Sequence, residues 1–435
     1  MIGEVAYAPA RVRPLRVAVA GFGVVGRSVA KILCERAELA DTLHLTHVFN
    51  RQVARKRVDW VPAAVHWSED IDTVLADDID VLVEVVGGVE QAHAWVAAAL
   101  RRGISVVTAN KLLIARHGRA LAELAAAHGA ELRFEAAVAG GIPVIDAIER
   151  GIAGDRLARV AGILNGTCNF ILSHLASTRG SFDDALSRAR ELGLAEADPS
   201  SDLEGIDAAA KLSVLAAVAF RLELPVADVR RASIAAVLPV DFDYAARVGC
   251  TIRQVAVAES HGINGIDAFV GPALVPLDSP LARVDGPGNI VLVSGAYGGD
   301  VTLSGRGAGG DPTAVAVVSD LLAIARGERR DRTRGWRGAC LVPSPPMAHY
   351  VRFVVQDRPG ILAAVATVFA RHGINVDAVL QEPGYPKSRL PFVMTLEACD
   401  ANELAAALAE LSVSDVHMAR PFAAPILRGG SDVAR

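Results

Sequence analysis

The stretch LRVAVAGFGVVGRSVAKIL, residues 15–33, limits this chain more than any other. A β-branched run containing Val17 and Val19 meets three glycines, and Val25, Val29, Ile32 and Leu33 then follow at helical spacing. Strand, tight turn and helix are the expected order. Gly21, Gly23 and Gly26 stand in G-x-G-x-x-G spacing. The first glycine allows the turn, the second lets a pyrophosphate approach the backbone, and the third lets helix and strand pack closely. The whole loop, with Phe22, Val24 and Val25, is the expected cofactor-binding turn of a dinucleotide site.

Further apolar runs at 43–50 (LHLTHVFN), 79–87 (IDVLVEVVG) and 104–110 (ISVVTAN) read as strands, with alanine-rich helical stretches between the later ones. Alternation of this kind implies parallel strands joined by crossover helices. An NAD site usually closes its second strand with Asp or Glu, which holds the ribose hydroxyls. Here that strand ends VFNRQVARKR, with Asn50 and Arg51 at its tip and Arg55, Lys56 and Arg57 close behind. This predicts preference for NADP over NAD; the alternative is a solvated basic face. Lys111, in VVTANK, falls at the carboxyl edge of the inferred sheet, where open α/β folds bind ligands. A lysine that merely opens a helix fits that position equally well.

At 435 residues the chain exceeds one ordinary core, and 52% hydrophobic against 21% charged residues excludes wholesale disorder. A net charge of −5 and a pI near 6.1 give no global attraction to nucleic acid or anionic lipid, which favours a small-molecule partner. Cys34, Cys168, Cys250, Cys340 and Cys399 are scattered and odd in number, as expected of reduced thiols in the cytoplasm. No apolar run reaches the roughly 18 residues of a membrane span. Residues 1–14 read as a leader.

Beyond residue 140 the texture changes. DPSSDLEGIDAAAKL sets Asp198, Asp202, Glu204 and Asp207 ahead of Lys211 in an apolar setting. If 205–220 is helical, Asp207 and Lys211 are one turn apart, and Glu204 shares their face. A surface ion pair is the ordinary role for such spacing. The apolar neighbours instead aim Lys211 at a cleft, where a lysine beside carboxylates can exchange a proton. From 349 the pattern runs strand, helix, strand, strand, helix, with a last strand near DVHMARPF. The expected divisions are a dinucleotide-binding domain at 15–140, a central α+β domain at 141–328, a linker at 329–348 and a βαββαβ domain at 349–425.

The segments GFGVVG, GISVVTANK, FEAAVAGGIP, GILNGTCNFIL, ADPSSDLEGIDAAAKL and DPTAVAVVSDLL, in this order, resemble the homoserine dehydrogenase family. YVRFVVQDRPGILAAVATVFARHGIN is similar to the start of an ACT module, so the resemblance is to the long form of the family. It implies an N-terminal Rossmann-like domain, a central catalytic and dimerisation domain and a C-terminal ACT domain. It also implies NAD(P)-dependent interconversion of L-homoserine and L-aspartate 4-semialdehyde, at the branch towards threonine, methionine and isoleucine.

By the same resemblance Lys211 is the acid/base, Asp207 and Glu196 hold the substrate's polar groups, and Lys111 lies between nicotinamide and substrate. Asp202 and Glu204 shape the pocket, Asn165, Gly166 and Thr167 face the substrate, and Gly307 lies at the cofactor edge. Glu135, Val138, Gly140 and Ile142 correspond to a monovalent-cation loop whose hard oxygen ligands suit Na⁺. Threonine is the expected effector at the turn Asp357–Ile361, and a homodimer or homotetramer the expected assembly.

The chain departs from the family's pattern at Arg306, where proline is common, at Cys168 for Thr and at Arg253 for Lys. Two other readings stay open. One is an acylating semialdehyde dehydrogenase with Cys168 as nucleophile, although His174 lies six positions along the same expected helix and faces elsewhere. The other is a non-catalytic nucleotide- and amino-acid-binding regulator.

Overall fold

The computed structural model describes residues 13–330, 336–412 and 419–427; most of the expected leader and residues 331–335 of the expected linker lie outside them. Strands β1 (Leu15–Ala20), β2 (Leu43–Phe49), β3 (His66–Ser68), β4 (Val81–Glu84), β5 (Ser105–Thr108) and β6 (Leu132–Arg133) stand in the order β3-β2-β1-β4-β5-β6. Every pairing is parallel. All four residues of β4 are buried, as a sheet covered on both faces requires. The order reverses between β1 and β4, which opens a crevice at their carboxyl ends. The sequence reading leaves out β3 and β6, which are too short for alternation to register.

Helix α1 (Val24–Glu35) follows β1 directly. Its core partners include Ala314, Val317 and Leu321 of the helix Gly310–Ala325, far along the chain. The polypeptide accordingly forms two discontinuous compact units. One comprises 1–155, 210–226 and 303–339, and the other 156–209, 227–302 and 340–435.

In the second unit, strands Gly288–Gly295, Leu157–Ile163, Cys250–His261 and Gly265–Pro276 are neighbours in that order and antiparallel. The helix Gly166–Thr178 joins a buried cluster through Cys168, Ile171, Leu172 and Leu175, one stripe at i, i+3, i+4, i+7 spacing.

The C-terminal module has the expected βαββαβ order: strand Met347–Val355, helix Ile361–Arg371, strands Val376–Leu380 and Leu390–Cys399, helix Ala401–Ser412 and strand Phe422–Pro425. Its four-stranded sheet is antiparallel. The last strand begins at Phe422, and residues 413–418 lie outside the described ones. A buried polar knot ties this sheet to the helix Pro239–Arg247. Asp241 accepts from Tyr350 Oη at 2.7 Å and from Arg352 Nη1, while Arg352 Nη2 donates to the Ala236 carbonyl at 3.0 Å. No helix among the described residues is long and apolar enough to cross a membrane.

Candidate active site

The glycine turn in the first unit is set by sterics. Gly21 has φ +105, and a Cβ there would meet the Val85 carbonyl oxygen at 2.8 Å; one on Gly26 would meet the Gly21 oxygen at 1.9 Å. Neither position admits a side chain. A Cβ on Gly23 would meet nothing within 4 Å, leaving the open approach a pyrophosphate needs. Phe22 is buried and stacks on Trp60, whereas Val24 is 75% exposed.

At the tip of β2, Asn50 Oδ1 accepts from Gln52 N at 3.0 Å, so its side chain shapes the turn. Arg51, Arg55, Lys56 and Arg57 are exposed. Gly307 packs closely on the expected cation loop, its carbonyl oxygen 2.6 Å from where a Cβ on Gly140 would sit.

Sequence reasoning missed Glu84. This fully buried carboxylate ends β4 and accepts from Thr108 Oγ1 at 2.6 Å and Val86 N at 2.9 Å. Asn110 donates to the Gly88 carbonyl and caps the next helix by accepting from Leu113 N at 3.1 Å. Lys111 is therefore the first residue of the helix Lys111–Ala127, on a loop fixed at the sheet's carboxyl edge. The available signal was one carboxylate in the otherwise apolar run VLVEVVG.

In the second unit the amide of Asn165 donates to Asp202 Oδ1 at 2.7 Å and to Asp207 Oδ2 at 3.0 Å. Its Oδ1 accepts from Cys168 N at 2.8 Å and caps the helix Gly166–Thr178. Gln254, also missed by sequence, donates to the Asp202 carbonyl at 3.2 Å. The residues Asn165, Asp202 and Asp207 are thus brought together. Thr167 donates its hydroxyl to the Leu194 carbonyl at 2.6 Å, and a Cβ on Gly166 would press on the Pro287 carbonyl at 2.7 Å.

Asp207 and Lys211 share one face of the helix Ile206–Phe220, both half-buried. Glu204 does not share that face, which corrects the sequence reading. It ends a separate short helix, Ser200–Leu203, and Gly205 with φ +72 turns the chain before the next helix begins. Glu204 and Glu196 are exposed.

Cys168 is fully buried, and its thiol donates to the Asp202 carbonyl at 3.2 Å. His174 stacks on Phe170. The thiol is thus directed at a backbone carbonyl and His174 is engaged with Phe170, which counts against the thiol-nucleophile reading.

In the expected cation loop, the Glu135 carboxylate accepts from Ile145 N and Asp146 N, both at 2.8 Å. Burial, and after it the nearby Asp320 carboxylate, push its pKa up to about 7. The carbonyl of Ile142 accepts from Val144 N at 2.8 Å, whereas those of Val138 and Gly140, in buried residues, accept no hydrogen bond among the described residues. No group of three or more His, Cys, Asp or Glu suited to a metal occurs among the described residues.

A parallel sheet with a pyrophosphate-type turn at its switch point, a lysine and aspartate on one helix face and an appended ACT-like module define the class: a nicotinamide-dinucleotide-dependent oxidoreductase. Family models agree. The NAD-binding domain of homoserine dehydrogenase matches residues 21–135, homoserine dehydrogenase itself 143–322 and the ACT domain 349–413. The chain is 42% identical over 394 residues to homoserine dehydrogenase of Mycobacterium bovis, covering 86% of this chain and 88% of that one. To the Corynebacterium glutamicum enzyme it is 36% identical over 406 residues, covering 89% and 90%.

The crystal structure of a homoserine dehydrogenase from Thiobacillus denitrificans superposes with TM-score 0.87 at 32% identity, over 95% of this chain and 98% of that one. A hyperthermophilic archaeal homoserine dehydrogenase mutant in complex with NADPH gives 0.61 at 27% identity, over 71% and 97%. The chain belongs to the homoserine dehydrogenase family, in the form that carries a C-terminal ACT domain.

Proposed function

We propose that the protein catalyses the reversible reduction of L-aspartate 4-semialdehyde to L-homoserine, with Lys211 exchanging the proton at the substrate oxygen. The observation that carries this reading is the helix Ile206–Phe220, which sets Lys211 one turn beyond Asp207, while Asp207 is held with Asp202 by the Asn165 amide. When bound, the nicotinamide cofactor supplies the hydride. The Lys211 ammonium donates to the oxygen as alkoxide charge develops, and its positive charge stabilises that oxygen before transfer is complete. Asp207 and Asp202 orient the substrate's ammonium end, with Glu196 and Glu204 contributing negative potential from exposed positions. Gly166 and Thr167 shape the backbone on the substrate side.

The turn Gly21–Gly26, Lys111 and Gly307 hold the cofactor. The exposed Arg51 and its basic neighbours favour the 2′-phosphate of NADP, because β2 is followed by Asn50 rather than by the Asp or Glu that would hold ribose hydroxyls, and the nearby Glu69 carboxylate is engaged by Val53 N at 2.8 Å. The carbonyls of Val138 and Gly140, which accept no hydrogen bond among the described residues, fit a monovalent cation such as Na⁺, since hard oxygen donors in buried residues suit it. Glu135 acts there by fixing the backbone, its carboxylate being engaged by Ile145 N and Asp146 N.

Threonine is the proposed effector at Asp357–Ile361, where Gly360 caps the helix Ile361–Arg371. A homodimer or homotetramer in the cytoplasm is the proposed working form. Homoserine oxidation measured side by side with NADP⁺ and NAD⁺, with and without threonine, tests the reading. Turnover with NADP⁺ exceeding that with NAD⁺, and lowered by threonine, is expected. Tight cofactor binding without turnover would support the non-catalytic regulator instead.

A further inference from the structure

A cavity of about 420 Å³ lies beside β6, lined by Arg133, Arg150, Arg221, Arg329 and Arg330 together with Glu149 and Glu328. Three of these guanidiniums have carboxylate partners. Arg330 pairs with Glu149 and Asp146, Arg150 pairs with Glu328, and the wholly buried Arg133 reaches Asp320 at 3.9 Å. Two do not. Arg221 makes no side-chain hydrogen bond or ion pair among the described residues, and Arg329 meets only the Gly129 carbonyl, at 3.4 Å. The lining therefore keeps an excess of positive charge around a space large enough for more than one tetrahedral oxyanion.

Arg221 also holds φ +59, a left-handed conformation that residues with a Cβ rarely keep unless their surroundings demand it.

The cavity is separate from the dinucleotide turn. The helix Gly310–Ala325 starts against α1, where Ser28 Oγ donates to Asp311 at 2.7 Å. It then runs 16 residues, roughly 24 Å, before the chain reaches Glu328. Arg221 directly follows the helix Ile206–Phe220, ten residues beyond Lys211 and roughly 15 Å from it along the helix axis.

We propose that this cavity is a binding site for a multivalent phosphate-type oxyanion of about diphosphate size, with Arg221 and Arg329 as its principal ligands. Guanidinium groups present paired N–H donors that match phosphate oxygens in a fork geometry, and an anion placed here offsets the excess positive charge of the lining. A bound anion would brace the end of the helix that carries Lys211, which makes the site a handle on the proposed chemistry.

The test is titration of the cofactor-free full chain with pyrophosphate at constant ionic strength, read by calorimetry and by melting temperature. Saturable binding at one site per chain is expected, weakened at least tenfold by Arg221→Gln and by Arg329→Gln separately and unchanged by Arg51→Asp. Absence of saturable binding overturns the proposal. So does binding that survives both glutamine substitutions together, or that is abolished by saturating NADP⁺, since the anion then occupies the dinucleotide turn. Should Arg221→Gln fail to fold by circular dichroism, Arg329→Gln alone decides, because that side chain is exposed and has no carboxylate partner among the described residues.

Discussion

Asp241 and Asp207 both occupy the first turn of a helix, yet their surroundings differ. Asp241 is 0% exposed, bonded to Leu238 N at 2.7 Å, to Tyr350 and to the guanidinium of Arg352. Burial pushes its carboxyl up, and Arg352 pulls the other way. Asp207 is half-buried, and the donor that joins it to Asp202 is the neutral amide of Asn165. A sealed carboxylate met by a guanidinium fastens the ACT module. A pair of carboxylates sharing one amide donor gains hydrogen bonds that cancel none of their charge, so that donor leaves intact the negative potential they offer a substrate ammonium. Burial alone separates structure from chemistry less well than the charge of the partner does.

Substitutions at the two centres should part company. Lys211→Ala lowers kcat by about 10³-fold, within the range a positioned acid or base supplies. The melting temperature and NADPH affinity hold; a fall in both would place Lys211 with Asp241 as a structural residue. Arg352→Met strands a buried carboxylate and should cost about 3–5 kcal/mol in denaturant unfolding. The kcat of the folded fraction should be unaffected, and a large fall in kcat without loss of stability would break the comparison from the other side.

Glu135 sharpens it through pH. Its folded pKa of about 7 exceeds the ordinary 4.5, so the native state binds the extra proton between those values. Stability then falls as pH rises through that window and levels off above it, by roughly 1–3 kcal/mol. Glu135→Gln should flatten this slope in melting curves between pH 5 and 8, and an unchanged slope would assign it elsewhere. The smallest effect is expected at Arg51→Asp. The ratio of kcat/KM for NADP⁺ over NAD⁺ should drop about tenfold, near one charge-assisted hydrogen bond; an unchanged ratio would leave the basic run as a solvated face.

The nucleotide turn was legible in sequence because its glycines answer hard steric demands, 1.9 Å at Gly26 among them. The ACT module was legible because its strands and helices follow one another in chain order. Glu204 was misplaced because helical periodicity runs through Gly205 undisturbed, whereas the backbone there takes φ +72, and a Cβ would meet the Val270 side chain at 2.9 Å. That approach is tertiary and leaves no local signature. The return of the helix Gly310–Ala325 to the core of α1 and β1 was hidden for the same reason. Glu84 went unread within an apolar strand because its Thr108 partner comes from the neighbouring strand, 24 residues on.

Chemical rescue addresses the proton-transfer claim most directly. In Lys211→Ala, ethylamine added to single-turnover reduction of the semialdehyde by NADPH should restore hydride transfer, saturating with amine concentration and tracking its protonated fraction. A variant that turns over within tenfold of the parent, or one whose lost rate ignores every amine tried while NADPH still binds, would contradict the account.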